Sequence, residues 1–318
     1  MSATTIISVG ELLVEFVSQR KGCELSERTD YSGPYPSGAS AVCLDQAARI
    51  GARAKIFGGI GEDGFGCAII EQLADSGVDT TGIALHSDKT TGVAFVSCFE
   101  DASRISISHV DNSAAEWAGK VVTDLPETEL LLHVSGSSLC NVRLRSTTLA
   151  LLDEVLARGG RISCAPNASP ELMSAPKARQ ALLKVMAASS ILFLSEEDLD
   201  LLYPGKSEGE VVAAMRAMGA DIVALKQGVD GAVICQGEAR HELWGHEVKQ
   251  VDPAGASDSF CGTFLAMLAE GHSIETASRY ANAAASLAGG KSGPMAGNAS
   301  LADIEALLSV DGAKRMTA

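Results

Sequence analysis

The sequence lacks an excess of positive charge. Its 318 residues include 25 lysines and arginines against 40 aspartates and glutamates, which gives a formal net charge of −15. Nucleic acids and anionic membranes attract basic surfaces, so the composition argues against both as partners. A local basic site for a phosphate-bearing ligand stays compatible with this overall charge.

The sequence also lacks paired cysteines and long apolar runs. Its eight cysteines are scattered, with no CxxC pair and no histidine at ligand spacing, so neither a zinc site nor a disulfide framework is predicted. No apolar stretch approaches membrane-spanning length, and the N-terminus has no basic region followed by an apolar run and a cleavage site. We expect a cytoplasmic protein with reduced thiols and no membrane partner.

No internal repeat, low-complexity linker or domain boundary interrupts the chain. With 46% hydrophobic residues, the chain is long enough to bury a large core and to form at most two domains. We therefore expect a single α/β domain over residues 1–318.

Short apolar runs with β character alternate with helical patterns along the chain. The runs lie at 6–10, 54–61, 130–136, 161–166, 191–195 and 221–228. The helical patterns lie at 40–50, 66–76, 145–158, 177–188 and 207–218, and the chain is helical again after about 262. This alternation predicts a central, mostly parallel sheet flanked by helices.

Two segments depart from this alternation. Residues from about 12 to 18 and from 91 to 110 alternate with period two, the second around a turn at 100–103. Such a pattern is typical of a small antiparallel hairpin, which we expect to form a β flap over a site at the edge of the main sheet.

The segment DPAGASD at 252–258 is the first candidate site. Small residues lead into Asp258 and a helical pattern, and the free N–H groups at a helix start attract phosphate charge. Backbone at Gly255, Ala256 and Ser257 is therefore suited to a phosphoryl group, with Asp258 as a base for the attacking hydroxyl. The alternative is an ordinary glycine-containing loop with an N-cap aspartate.

Four motifs follow one another in a fixed order: GELLVE at 10–15, PSGAS at 36–40, GGIGEDGFG at 58–66 and DPAGASD at 252–258. Together with VALKQGVDG at 223–231, they resemble the PfkB (ribokinase-like) family of carbohydrate kinases over essentially the whole chain. The resemblance implies a ribokinase-like α/β fold with a small β lid over a sugar. It also implies ATP and Mg²⁺ as cofactors, with a monovalent cation such as K⁺ as an option.

The resemblance also implies roles for the residues of the DPAGASD loop. Asp258 matches the catalytic base, and Gly255, Ala256 and Ser257 match the anion hole. The family usually has glycine where this chain has Ser257, so the loop geometry is open.

On the sugar side, Ser37 and Gly38 match a Gly-Gly pair beside the substrate. Glu15 stands where relatives carry an aspartate that accepts sugar hydroxyls, with an exposed strand-edge residue as the alternative. His109 and Asn167 are further candidates for hydroxyl binding, His109 with a turn role as its alternative.

Further candidates concern the cations and the nucleotide. Asp252 is placed beside the sugar or a monovalent-cation loop. Ser195 and Asp198 occupy the place of an Asn-x-x-Glu motif, which implies a water-mediated Mg²⁺ contact for Asp198; a charged first helical turn is the alternative. Candidate nucleotide-binding residues are Ser195, Lys226, Gly228, Gly231 and Asn282, where Lys226 has a solvated strand-end lysine as its alternative.

The identity of the sugar rests on two missing arginines. A branch of the family phosphorylates 2-keto-3-deoxygluconate, and it binds the substrate carboxylate with arginines where this chain has Val110 and Ser169. Arg104, on the predicted flap, is a less favoured candidate for binding a substrate carboxylate, with a solvated hairpin residue as the alternative. We expect a neutral ketohexose, tagatose- or fructose-like, phosphorylated at a terminal hydroxyl. A 2-keto-3-deoxygluconate kinase and a non-catalytic sugar- or nucleotide-binding regulator are the alternatives, and a homodimer through the lid is left open.

Overall fold

The computed structural model describes residues 4–99, 103–119 and 121–316. The strands in these ranges are β1 Thr4–Val9, β2 Leu13–Ser18, β3 Tyr31–Ser37, β4 Arg53–Gly61, β5 Asp79–His86, β6 Gly92–Cys98, β7 Arg104–His109, β8 Glu129–Ser135, β9 Arg161–Ala165, β10 Ile191–Ser195, β11 Ile222–Lys226, β12 Gly231–Gln236 and β13 Ala239–Trp244. The α-helices are α1 Ala39–Arg49, α2 Gly64–Ser76, α3 Val142–Ala157, α4 Pro170–Ser174, α5 Pro176–Ala188, α6 Glu196–Leu202, α7 Glu208–Ala217, α8 Ala256–Ala269, α9 Ile274–Ala288 and α10 Leu301–Met316.

The main sheet of the described chain has nine strands in the order β13-β12-β11-β10-β9-β8-β1-β4-β5. Its strands pair in parallel from β5 to β11, and β12 and β13 add antiparallel pairs at one edge. The predicted mostly parallel sheet flanked by helices is confirmed, and each predicted run and helical pattern coincides with a strand or helix within a few residues. Strands β5, β12 and β13 were not predicted.

Strand β10 shows why the parallel strands are continuous apolar runs. Ile191 and Phe193 pack into one hydrophobic cluster, and Leu192 and Leu194 pack into another. Successive side chains of a strand point to opposite faces of the sheet, and helices cover both faces here. All four side chains are fully buried as a result.

A second sheet, called the small sheet below, has the strand order β3-β2-β6-β7. The predicted strands are present at 13–18, 92–98 and 104–109, and β6 and β7 pair antiparallel as expected. Residues 100–102 of the predicted turn lie outside the described residues. Strand β3 was missed because Pro34 and Pro36 are typical of loops; it is an edge strand, where proline is tolerated.

The assignment of the whole chain to one domain stays a prediction. Among the described residues, no helix has both the length and the apolar character needed to cross a bilayer.

Candidate active site

A cavity of about 340 Å³ lies between the inner face of the small sheet and the start of α8. Its walls include Glu11, Leu13, Glu15, Ser37, Gly38, Ala39, Val42, Ala94, Val96, Arg104, Ser106, Ser108, Ser137, Gly255, Asp258 and Pro294. Alternate residues of β6 and β7 contribute, as expected for one face of a sheet. The cavity therefore brings the predicted flap and the DPAGASD loop together.

The DPAGASD loop leads into α8, and its last three residues belong to the first turn of that helix. Gly255 is the N-cap with a φ of 79°, and a Cβ at this position would lie 2.1 Å from the carbonyl oxygen of Pro294. Only glycine fits such a close approach in the left-handed region. Of the three predicted anion-hole groups, the N–H of Ala256 makes a long bond of 3.3 Å to the carbonyl of Pro253. The first-turn N–H of Ser257 has no acceptor within its own helix.

Asp258 has the electrostatics of a general base. Burial raises the pKa of its carboxyl to about 7, Lys226 and the side-chain amide of Asn167 oppose the rise, and the charges of Glu11 and Glu15 add to it. Its Oδ1 atom is buried and accepts no hydrogen bond within the described chain. A base with a pKa near neutrality and a free acceptor atom is suited to remove a proton from a substrate hydroxyl.

Lys226 lies at the end of β11, directly beside the same turn. The residue is 7% exposed, and its Nζ donates a hydrogen bond to Ser257 Oγ. In the part of the chain that the structure describes, Lys226 forms no ion pair. The alternative of a solvated lysine is therefore wrong, and a buried, unpaired cation faces the loop predicted to bind phosphate.

Glu15 is held in place on the cavity wall. One carboxylate oxygen accepts a bond of 2.7 Å from Ser37 Oγ, and the other accepts a bond of 2.7 Å from Arg104. The Glu15 side chain is 14% exposed, which contradicts the alternative of an exposed strand-edge residue. Beside it, a Cβ on Gly38 would lie 2.1 Å from the backbone oxygen of Glu11, so glycine is required there. The charge of Arg104 is already paired.

Three predicted residues on the sugar side do not line this cavity. His109 follows the outward alternation of β7 with Ile105 and Ile107, opposite to the lining serines. Asp252 is 5% exposed and links two loops, because its oxygens accept 3.0 Å bonds from the N–H groups of Ala254 and Gly293. Asn167 is not among the residues that line the cavity, and its side-chain amide donates a 2.9 Å bond to Ser135 Oγ.

Three other predicted nucleotide residues, Gly228, Gly231 and Asn282, do not line this cavity. Gly228 and Gly231 form the turn between β11 and β12, both with positive φ. Asn282 of α9 borders a separate cavity of about 520 Å³ beside β13, and its amide donates a 2.8 Å bond to the carbonyl of Trp244. Their nucleotide roles stay predictions.

Ser195 and Asp198 form a capping box at the start of α6. Asp198 is fully buried, and its oxygens accept bonds from the N–H groups of Ser195 and Ala168 at 2.8 and 2.7 Å. These bonds favour the helix-terminus alternative. The Mg²⁺ role of Asp198 stays a prediction, and no group of three or more potential metal ligands occurs among the described residues.

Glu11 is a site residue that sequence reasoning missed. It is 8% exposed, lines the cavity, and accepts bonds of 2.7 and 2.9 Å from the hydroxyls of Ser137 and Ser138. A charged residue directly after the carboxyl end of the apolar strand β1 was the available signal, because parallel strands place such residues at the ligand-binding edge.

Comparisons with known proteins agree with this geometry. Residues 3–300 match the pfkB family of carbohydrate kinases. Fructokinase-1 of Oryza sativa subsp. japonica is 27% identical over 299 residues, covering 91% of this chain and 92% of that protein.

Two solved structures are similar in fold as well as in sequence. A protein from E. coli provisionally named ribokinase II, solved with ATP and Mg²⁺, is 32% identical with a TM-score of 0.87, covering 96% of this chain and 99% of the other. Fructokinase from Vibrio cholerae O395, solved with fructose, ADP and calcium, is 25% identical with a TM-score of 0.83, covering 97% and 100%.

The fold, and a cavity lined by an aspartate in the first turn of α8, are those of a ribokinase-like phosphotransferase. The chain belongs to the pfkB family of carbohydrate kinases and is an ATP-dependent sugar kinase.

Proposed function

We propose that the chain phosphorylates a terminal hydroxyl of a small neutral sugar, a ketohexose such as tagatose or fructose. The observation that carries this proposal is Asp258, a cavity-lining carboxyl with a pKa of about 7 and an unpartnered oxygen, next to the buried ammonium of Lys226. A base and a cation side by side suit the two needs of phosphoryl transfer, which are proton removal and charge stabilisation.

In the proposed mechanism, Asp258 accepts the proton of the sugar hydroxyl as that oxygen attacks the γ-phosphorus of ATP. The bond from this phosphorus to the β,γ-bridging oxygen breaks, and ADP leaves. The N–H groups of Gly255 and Ser257 and the ammonium of Lys226 stabilise the charge on the transferred phosphoryl group. Ala256 contributes less, because its N–H is directed to Pro253. When bound with the nucleotide, Mg²⁺ would neutralise phosphate charge, and Asp198 would contact it through water.

The charges of the cavity support a neutral sugar. Glu11, Glu15 and Asp258 line it, and its cation Arg104 is already paired with Glu15. A substrate carboxylate entering here would meet repulsion, and no unpaired cation is among the described residues that line the cavity, which disfavours 2-keto-3-deoxygluconate. Fructokinases among the relatives, including one solved with fructose, support a ketohexose.

Other assignments belong to the same proposal. Ser37 and Gly38 approach the sugar, and Ser195, Gly228, Gly231 and Asn282 lie along the nucleotide. Asp252 shapes the loops of a monovalent-cation site.

A dimer through the small sheet is supported by its outward face, where Phe95 and Ile107 are 41% and 63% exposed. A cytoplasmic location is supported by the eight free cysteines, because reducing compartments keep thiols unpaired.

The test is an ADP-release assay with Mg²⁺ over ketoses, aldoses, nucleosides and keto-deoxy acids. We expect turnover with a neutral ketohexose, and near-complete loss of turnover with retained sugar binding in Asp258→Asn. Turnover confined to 2-keto-3-deoxygluconate would contradict the neutral-sugar assignment. If none of the sugars were phosphorylated, the proposed activity would be contradicted, and the non-catalytic sugar- or nucleotide-binding regulator would be the remaining alternative.

A further inference from the structure

The side chain of Ser257 makes one hydrogen bond within the part of the chain that the structure describes. Its partner is the ammonium of Lys226. A lysine ammonium can only donate, so the hydroxyl oxygen of Ser257 is the acceptor. This bond does not use the hydroxyl hydrogen of Ser257, and no described residue accepts that hydrogen.

Other serines inside helices donate this hydrogen to the backbone. Ser278 and Ser286 of α9 donate to the carbonyl oxygens of Ile274 and Asn282, four residues earlier, at 2.6 and 3.1 Å. Such a carbonyl is the ordinary local partner of a helical serine. Ser257 is the second residue of α8, so the residue four positions earlier lies outside the helix. The hydroxyl hydrogen of Ser257 therefore remains available to a ligand.

The surroundings of this hydroxyl favour an anion as that ligand. Lys226 is 7% exposed and forms no ion pair among the described residues, whereas Ser257 is half-buried and can be reached from outside. The first turn of α8 adds free N–H groups and the positive end of the helix dipole. A hydroxyl that accepts from a cation is polarised and becomes a stronger donor. A phosphate oxygen is the acceptor that suits all of these groups.

We propose that the side-chain hydroxyl of Ser257 is a catalytic group that donates a hydrogen bond to the phosphoryl group in transfer, while its oxygen holds the ammonium of Lys226 beside that group. The inference rests on the proposed function and adds a side-chain donor to the backbone N–H groups assigned there. The hydroxyl of Ser257 keeps its proton throughout, because the proton of the sugar hydroxyl goes to Asp258.

The alternative is that Ser257 acts only by holding Lys226. In both cases Ser257→Ala should weaken binding of the terminal phosphate, but the two cases differ once the lysine is removed. If the hydroxyl itself contacts the phosphoryl group, its loss should also be felt in the Lys226→Met background. If it acts only through the ammonium, its loss should have no effect there.

Isothermal titration calorimetry with Mg²⁺ measures the affinities of ADP and of a non-hydrolysable ATP analogue. The preference for the analogue over ADP reports on the terminal phosphate and needs no turnover. We expect Ser257→Ala to lower this preference and kcat about tenfold, the equivalent of one hydrogen bond to a charged oxygen. In the Lys226→Met background it should lower the preference at least about threefold. No loss in that background would overturn the inference.

Ser257→Gly is the second variant, because it keeps the backbone N–H and removes only the side chain. We expect it to lose as much as Ser257→Ala, and wild-type preference and kcat in either variant would overturn the inference. Ser278→Ala is the matched control, since its hydroxyl bonds within its own helix. It should match wild type in both measurements, and a loss equal to that of Ser257→Ala would also overturn the inference.

The binding measurement separates this inference from the proposed function. If wild type phosphorylates no sugar, the proposed function fails, and the preference for the analogue still decides whether the hydroxyl of Ser257 binds the terminal phosphate. If wild type is active and Ser257→Ala keeps the wild-type preference and rate, the inference alone fails. A wild-type protein that binds neither nucleotide would overturn both.

Discussion

Replacing Lys226 by methionine should make the protein more stable and less active. The ammonium is 7% exposed and bonds one neutral hydroxyl, that of Ser257, with no ion pair in the described chain. At pH 6, where Asp258 is mostly protonated and offers no counter-charge, the buried ammonium costs free energy, whereas methionine fits a similar volume without that cost. We expect the free energy of unfolding without ligands to rise by about 1–3 kcal/mol.

Lys226→Met should also lose activity, because in the proposed mechanism the ammonium of Lys226 stabilises the transferred phosphoryl group. A hydrogen bond to an ionised group contributes about 1.5–3 kcal/mol, so losing one to the phosphoryl group should lower kcat/KM about 10- to 150-fold. Lys226 also opposes the rise of the pKa of Asp258. Without it, that pKa rises further, and part of the lost activity should return at higher pH.

Urea unfolding, ADP release and the affinities of ADP and a non-hydrolysable ATP analogue measure these effects. The analogue should lose much more affinity than ADP, because in the proposed mechanism the ammonium contacts the phosphoryl group that ADP lacks. Lys55→Met is the matched control: Lys55 is 8% exposed but pairs with Asp79 at 3.2 Å, so its loss should lower stability and leave activity unchanged. Lower stability in Lys226→Met, or equal losses of affinity for ADP and the analogue, would refute the reasoning.

Three further outcomes are expected. The pKa of Asp258, about 7, predicts that kcat/KM falls as one group is protonated below about pH 7. The pKa of Asp258 is higher in the folded protein than in the unfolded chain, so the stability that this carboxyl contributes is lost as pH rises from about 4 to 7. In urea unfolding, Asp258→Asn should therefore be more stable than wild type at pH 8, and the gain should be smaller at pH 5. Asn298→Ala should destabilise by about 2–4 kcal/mol in urea, because it removes a 2.7 Å bond from the fully buried carboxylate of Asp45. Arg104→Ala should raise KM for the sugar about tenfold with KM for ATP unchanged in initial-rate assays, since it releases Glu15 from its 2.7 Å bond; an equal rise in both would contradict a sugar-side role.

The main sheet was predictable because burial on both faces leaves a clear pattern. Runs such as 191–195 are wholly apolar, and the strand found there has the same bounds. Strand β13 has no such pattern, because it lies at an edge and its residues are half-buried or exposed. Local pattern therefore identifies the centre of the sheet better than its margins.

The part of the candidate site that acts through backbone N–H groups was predictable from the sequence. The loop before Asp258 is recognisable from its small residues, and the structure places it at a cavity. Pairings across the chain were beyond local reasoning: Glu15 with Arg104 joins residues 89 positions apart, and Lys226 with Ser257 joins residues 31 apart. The chemistry of a histidine side chain alone did not predict the position of His109, because the face of the small sheet on which it lies depends on the register of β7 with β6.

The joint between the two sheets has a mechanical consequence. Strand β1 ends at Val9 in the main sheet and β2 begins at Leu13 in the small sheet, so residues 10–12 are the whole connection. A tether this short transmits rotation, and Glu11 lies at its midpoint. Tilting the small sheet over a bound sugar would move Glu11, which lines the cavity together with Asp258. Closure of the cavity would then also shift a carboxylate in its wall, together with the serine hydroxyls that bind it.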